Sequence, residues 1–207
     1  MSPSYRRQLK HDTGYPGTAV LFSWASGAKA QDYVYDRDSA NAARDDLEQT
    51  LRLLARTPAK SIDIIAHSIE GYFTATVQPR FHSRLVEAII NTVIETTETL
   101  LANPEDYEAR AEFAWASTQA LNGLIYAGTS GYSYPNHMIE HSLSALFNVS
   151  HGAGLSVVIP AWMKWYHGRN PAQFERFAKN VFGVATAEQG IAALEKWFDK
   201  IGTPTRL

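Results

Sequence analysis

Residues 137–155 read HMIEHSLSALFNVSHGAGL and carry three of the seven histidines in this chain of 207 residues. His137 and His141 are four positions apart, so a helix would place them one turn apart on one face. The turn residues Asn148-Val149-Ser150 follow, and His151 opens the next apolar run. A helix–turn–helix over this stretch lets His151 fold back beside His137, as a metal site built from two helices requires.

A second pair, Asp63 and His67, has the same spacing. Together with His137 and His151 it would offer one carboxylate and three imidazoles. That donor set suits Fe²⁺ or Zn²⁺ and is poor for Ca²⁺ or Mg²⁺. Single pairs of this kind also occur as surface residues or as hydrogen-bonded core histidines, so the spacing alone leaves both interpretations open.

Composition excludes several classes of function. Apolar residues make up 45% of the chain and aromatic residues 12%, which is typical of a folded globular protein. The net charge of −2 gives no basic face, so we expect neither a nucleic-acid partner nor a membrane partner. The absence of cysteine excludes disulfides, thiolate metal sites and cysteine nucleophiles. Without an apolar run of transmembrane length or a secretory signal, we expect a cytoplasmic protein.

Apolar periodicity predicts a mainly α fold with two unequal parts, residues 1–60 and 61–207. The second part reads as one helix after another. The predicted helices cover residues 85–101, 103–126 with Asn103 as cap, 135–147, a segment from 151 that contains Pro160, 171–181 and 187–201. The first part, with a strand at 19–24 and a helix at 39–55, predicts only a short irregular α/β segment and not a complete domain.

The segment Ile62–Ala66 at the junction is compatible with either a strand or a helix. A strand would hold Asp63 and His67 about 13 Å apart, too far for one ion. A helix would bring them to about 6 Å. The isoleucines favour a strand by propensity, but a helix can dock onto the helical second part, so we favour the helix.

Several further motifs carry a family resemblance. They are residues 70–74, 103–110, 120–123, 137–145, 150–155, 160–163 and 202–207. In these stretches the chain resembles the iron-containing alcohol dehydrogenases, in particular the butanol dehydrogenase-like branch. The resemblance implies that residues 61–207 form a helical bundle like the C-terminal domain of that family.

The resemblance also implies a site and a chemistry. Residues matching the family's ligands to Fe²⁺ or Zn²⁺ are Asp63, His67, His137 and His151. His141 matches a residue beside the metal and near the nicotinamide, and is expected to act as a catalytic proton relay. The implied activity is oxidation of a small alcohol, or reduction of an aldehyde, with NAD or NADP. Family members are often homodimers.

Members of the family normally carry a nucleotide-binding domain ahead of the helical one, with a glycine-rich loop that holds the pyrophosphate. Its motif, G-x-G-x-x-G, is not found in this sequence. The nearest match, Gly152-Ala153-Gly154, lacks the third glycine, and we interpret it as small residues for close helix packing beside His151. We therefore expect metal binding, and weak or no NAD(P)-dependent turnover by this chain alone.

Two alternatives remain open. Residues 17–24, 32–40 and 62–68 resemble an esterase-like α/β-hydrolase family, in which Ser68 would be the nucleophile, although Glu70 stands where the strained elbow needs a glycine. The other alternative is a helical domain that binds a metal without catalysis. Glu70 and Glu140 are predicted either to partner imidazole N–H groups or to lie on a solvated face.

Overall fold

The computed structural model describes residues 58–206, which form a helical bundle. The elements are α1 (Pro58–Thr74), α2 (Arg80–Ala102), α3 (Tyr107–Leu121), a 3₁₀ turn (Leu124–Tyr126), α4 (Pro135–Phe147), α5 (His151–Tyr166), a 3₁₀ turn (His167–Arg169), α6 (Pro171–Phe182) and α7 (Ala187–Lys200). Within these residues the one β-type pairing is an isolated bridge between Val77 and Ser130. The prediction of a mainly α fold is confirmed.

The junction segment is helical and lies at the centre of the bundle. Helix α1 contacts α2, α3, α4, α5 and α6. Ile62, Ile65, Ile69 and Phe73 recur at helical spacing and are all fully buried. Burial of this face outweighs the strand propensity of the isoleucines, so the predicted helix is confirmed.

Aromatic packing fixes the far end of α1. The ring of Phe73 stacks on Phe174 of α6 with 3.9 Å between centroids. Phe177, also on α6, meets Phe73 edge-on at 5.3 Å, and both α6 rings are fully buried. This cluster anchors the helix on which Asp63 and His67 lie.

Most predicted helix boundaries are close to the observed ones, and α4 matches at both ends. The prediction for α3 is wrong at both ends. Its cap is Asp106, whose carboxylate accepts a hydrogen bond from the backbone N–H of Ala109, because Asn103 begins a turn instead. The helix ends at Leu121, and Gly123 follows in the left-handed conformation (φ 87°).

The predictions for residues 1–57, namely the strand at 19–24, the helix at 39–55 and the irregular α/β segment, lie outside the described residues. The proposed division after residue 60 stays a prediction. Among the helices of the described part, none is long and apolar enough to cross a membrane.

Candidate metal centre

The four predicted ligands meet where α1, α4 and α5 come together. Oδ1 of Asp63 lies 3.5 Å from Nδ1 of His67 on the same helix. The same oxygen lies 3.7 Å from Nε2 of His137 on α4 and 3.3 Å from Nε2 of His151 on α5. The structure therefore brings Asp63 and three imidazoles into one cluster.

The α4–α5 turn sets the approach of His151 to His137. Helix α4 ends at Phe147, and the next residue, Asn148, adopts the left-handed conformation (φ 52°) that reverses the chain. Helix α5 then begins at His151 itself. The two imidazole rings are 5.3 Å apart between centroids, as the predicted helix–turn–helix requires.

Each of the three imidazoles directs Nδ1 to an oxygen of the protein. These contacts join His67 Nδ1 to the Asp63 carbonyl at 2.9 Å, His137 Nδ1 to Glu70 Oε2 at 2.5 Å, and His151 Nδ1 to Glu140 Oε2. A neutral imidazole that donates from Nδ1 keeps the lone pair on Nε2 for a cation. The predicted role of Glu70 and Glu140 as imidazole partners agrees with these contacts, and both side chains are fully buried rather than solvated.

Two buried atoms at the centre of the cluster lack hydrogen-bond partners. They are Oδ1 of Asp63 and Nε2 of His137. Buried polar atoms without a partner are costly, and a divalent cation would satisfy both at once. Asp63, His67 and His137 also each offer a ligand atom within 4.8 Å of the others. The residues present therefore fit a bound divalent metal ion.

Electrostatics concentrate negative charge on Asp63. Burial alone would raise its pKa, but interaction with His137, His151 and His67 outweighs that effect and holds the pKa far below its usual value. For His137, burial opposes the charged form, yet Asp63 and Glu70 raise its pKa to about 9. The pKa of His151 is raised as well, chiefly by Asp63.

The cluster is closed on one side and open on the other. The side chain of His137 is 9% exposed, whereas those of His67 and His151 are 28% and 38% exposed. His141 lies at the open side. Its ring is exposed, and its centroid is 6.0 Å from that of His137 and 5.3 Å from that of His151.

The structure does not support the hydrolase alternative. Ser68 lies in the middle of α1 rather than at a strand-to-helix elbow, and it is fully buried. Its hydroxyl donates to the carbonyl of Ile64 one turn earlier, so it is not presented to a substrate. The alternative in which Ser68 is a nucleophile therefore has no support.

Sequence reasoning missed two residues around the site, Tyr126 and Ser144. The hydroxyl of Tyr126 donates to the carbonyl of His67, and that of Ser144 donates to Glu140. Gly154 on α5 packs directly against the Glu140 side chain, as the interpretation of Gly152-Ala153-Gly154 as small packing residues predicts, although Glu140 was not named as its neighbour. The Tyr126 contact joins two separate elements, which the sequence does not specify. Ser144, in contrast, follows Glu140 at the i, i+4 spacing, which could have been read from the sequence.

Comparison with known proteins identifies the family. Residues 57–207 match the family model described as "Fe-containing alcohol dehydrogenase family, C-terminal". The chain belongs to this family.

The individual relatives include butanol dehydrogenases and an aldehyde reductase. The chain is 34% identical over 161 residues to NADH-dependent butanol dehydrogenase B of Clostridium acetobutylicum, covering 73% of this chain and 41% of that protein. It is 34% identical over 152 residues to NADPH-dependent aldehyde reductase YqhD of Escherichia coli, covering 70% and 39%. The crystal structure of NADH-dependent butanol dehydrogenase A from Thermotoga maritima matches at 44% identity and a TM-score of 0.69, covering 72% and 39%.

This member of the iron-containing alcohol dehydrogenase family thus spans about 40% of the length of the relatives it matches. The stretch it shares with them is the helical part that carries the candidate metal centre. Family membership implies a metal ion and a nicotinamide cofactor without fixing the identity of either.

Proposed function

We propose that residues 58–206 are the metal-binding helical domain of an alcohol dehydrogenase or aldehyde reductase. The proposed ligands of Fe²⁺ or Zn²⁺ are Asp63, His67, His137 and His151. The observation that carries the proposal is the pair of buried, unpartnered atoms, Asp63 Oδ1 and His137 Nε2, inside a cluster of three imidazoles.

A divalent cation held there would supply Lewis-acid chemistry at an alcohol or aldehyde oxygen, while NAD or NADP would exchange the hydride. The chain's own residues would hold this cation and define the side from which a substrate reaches it. Asp63 brings the negative charge to the centre of the cluster, and the buried His137 fixes its inner wall. The half-exposed His67 and His151 form the open side, from which a small alcohol or aldehyde can approach.

His141 is the proposed catalytic proton relay. Its exposed imidazole lies beside the cluster, next to His151, so it can exchange a proton with solvent while it faces the substrate side. In this role it is outside the set of four ligands. Replacement by alanine should therefore leave metal binding intact.

A Co²⁺-loaded sample of the full chain tests the proposal, because the visible absorption of Co²⁺ reports its ligands. Addition of a short-chain alcohol or aldehyde should change the spectrum if a substrate oxygen reaches the ion. His137→Ala should abolish the specific spectrum, and His141→Ala should preserve it. With NADH or NADPH added, we expect weak or no turnover by this chain alone, and robust turnover would show that the chain binds the dinucleotide by an unrecognised mode.

The second candidate is a helical domain that binds a metal without catalysis. One observation favours it: four protein donors are enough to fill a tetrahedral shell, as in structural zinc sites. In that case Co²⁺ would bind with four protein ligands, and its spectrum would not change when an alcohol or an aldehyde is added. The two candidates are thus separated by a single titration.

A further inference from the structure

Glu70 is a buried carboxylate that joins α1 to α4 through both of its oxygens. Oε1 accepts hydrogen bonds from the backbone N–H groups of Asn136, at 2.5 Å, and His137, at 3.1 Å. These are first-turn donors of α4, whose own cap residue Tyr134 makes no side-chain cap. Oε2 takes the Nδ1 of His137. One side chain thus caps the helix and orients its imidazole.

Glu140 makes the corresponding link from α4 to α5. Its Oε2 takes the Nδ1 of His151, and its Oε1 accepts from the hydroxyl of Ser144. The side chain is fully buried. A carboxylate therefore bridges each step along the series α1, α4, α5, which are the three helices that carry the proposed ligands.

Gly154 provides the space that Glu140 occupies. A β-carbon at position 154 would lie 2.5 Å from Oε1, 2.7 Å from Cγ and 3.0 Å from Cδ of Glu140. Such contacts are too short to tolerate without displacement. Because position 154 is inside α5 and has ordinary helical geometry, the glycine is explained by this close approach rather than by a turn.

We propose that Glu70 and Glu140 are positioning residues of the metal centre, which hold His137 and His151 with Nε2 directed at Asp63, and that Gly154 is required for the placement of Glu140. The inference rests on the proposed function for the identity of what the imidazoles bind. The orientation of the imidazoles themselves is a property of the chain without metal.

Glutamine variants test the two carboxylates in the full chain. Glu70→Gln and Glu140→Gln replace one acceptor oxygen by a donor NH₂ group, so that one N–H partner faces another donor. The matched control is Glu87→Gln. Glu87 is also buried, at 6% exposure, and bonds Arg176, but it touches no imidazole. Gly154→Ala is paired with Gly168→Ala, where a β-carbon meets nothing within 4 Å.

The metal-free readout is the imidazole N–H signal in a sample labelled with ¹⁵N-histidine. Nδ1 protons held by buried carboxylates should be shifted downfield and protected from exchange. We expect Glu70→Gln to move only the His137 signal, and Glu140→Gln and Gly154→Ala to move only the His151 signal. Neither Glu87→Gln nor Gly168→Ala should move either signal, which separates positioning from general damage to the core.

The second readout is Zn²⁺ affinity by chelator competition. Loss of an outer partner typically weakens binding about 10–100-fold, and we expect that loss for both glutamine variants and none for Glu87→Gln. Folded variants with unchanged signals and unchanged affinity would overturn the inference. If the parent chain shows the two signals but binds no metal, the proposed function fails while the positioning of the imidazoles stands.

Discussion

Removal of the Phe73 ring should destabilise the packing of α1, the helix that carries Asp63 and His67. The ring is fully buried, stacks on Phe174 at 3.9 Å and meets Phe177 at 5.3 Å. Truncation of a buried phenylalanine to alanine costs about 3–5 kcal/mol, since both the transfer free energy and a cavity are involved. In a domain of this size that corresponds to a fall in melting temperature of about 6–20 °C.

The assay is urea denaturation of Phe73→Ala beside Phe81→Ala. Phe81 is 68% exposed, so its truncation should change the free energy of unfolding by no more than about 0.5 kcal/mol. Equal losses in the two variants would refute the reasoning, because Phe73 would then not be a core anchor. A loss for Phe73→Ala near 1 kcal/mol would likewise mean that α1 is held mainly by other contacts.

Three further predictions concern ion pairs, caps and metal. Arg176→Leu leaves the buried Glu87 without its bidentate partner and should lower the free energy of unfolding, measured in urea, by about 3 kcal/mol. Lys164→Leu, at an exposed ion pair, should lower it by less than about 1 kcal/mol. Similar losses in the two variants would show that burial does not determine the strength of the ion pair. Asp106→Ala should destabilise the chain by about 0.5–2 kcal/mol through loss of the α3 cap, and no change would place the start of the helix elsewhere. Zn²⁺ at one hundred times its dissociation constant should stabilise the parent chain by about 2.7 kcal/mol in a thermal melt, and His137→Ala should remove that stabilisation. Equal stabilisation of this variant would mean that the ion binds at a site that does not include His137.

The helices of the second part were predictable because their signals are local. Pro135 occupies the first position of α4, and Gly183 follows the last residue of α6. Proline and glycine are the residue types that usually mark the start and the end of a helix. The start of α3 was mispredicted because Asn103 and Asp106 are both good caps, and only the observed turn between them decides which one is used. Single-sequence patterns cannot rank two competing caps.

The junction shows where sequence reasoning depends on tertiary packing. Ile62 and Ile65 favour a strand by propensity, yet they form part of the buried face of a helix. The helix was preferred over the strand because a helical partner was available, and its contacts with five other helices agree with that argument.

Spacing and the family resemblance together suggested the four ligand candidates, whereas Glu70 and Glu140 were predicted as imidazole partners only as one of two alternatives. Asp63 and His67 share a helix, and a helix and short turn join His137 to His151, so local geometry explains each pair. The two pairs are far apart in the chain, and the donor set and the family resemblance grouped them. The contact between Glu70 and His137 joins residues 67 positions apart in the chain. The glycines at 152 and 154 were predicted to allow close helix packing, but the side chain that Gly154 packs against, Glu140, could not be identified without the structure.

The metal content of the purified full chain tests the central claim most directly. Elemental mass spectrometry of the parent should find about one iron or zinc ion per chain, and the double variant His137→Ala, His151→Ala should lose it. Absence of metal from the parent, even after loading with Fe²⁺ or Zn²⁺, would contradict the account. So would an equal metal content in the double variant, since the ion would then be bound somewhere other than the cluster around Asp63.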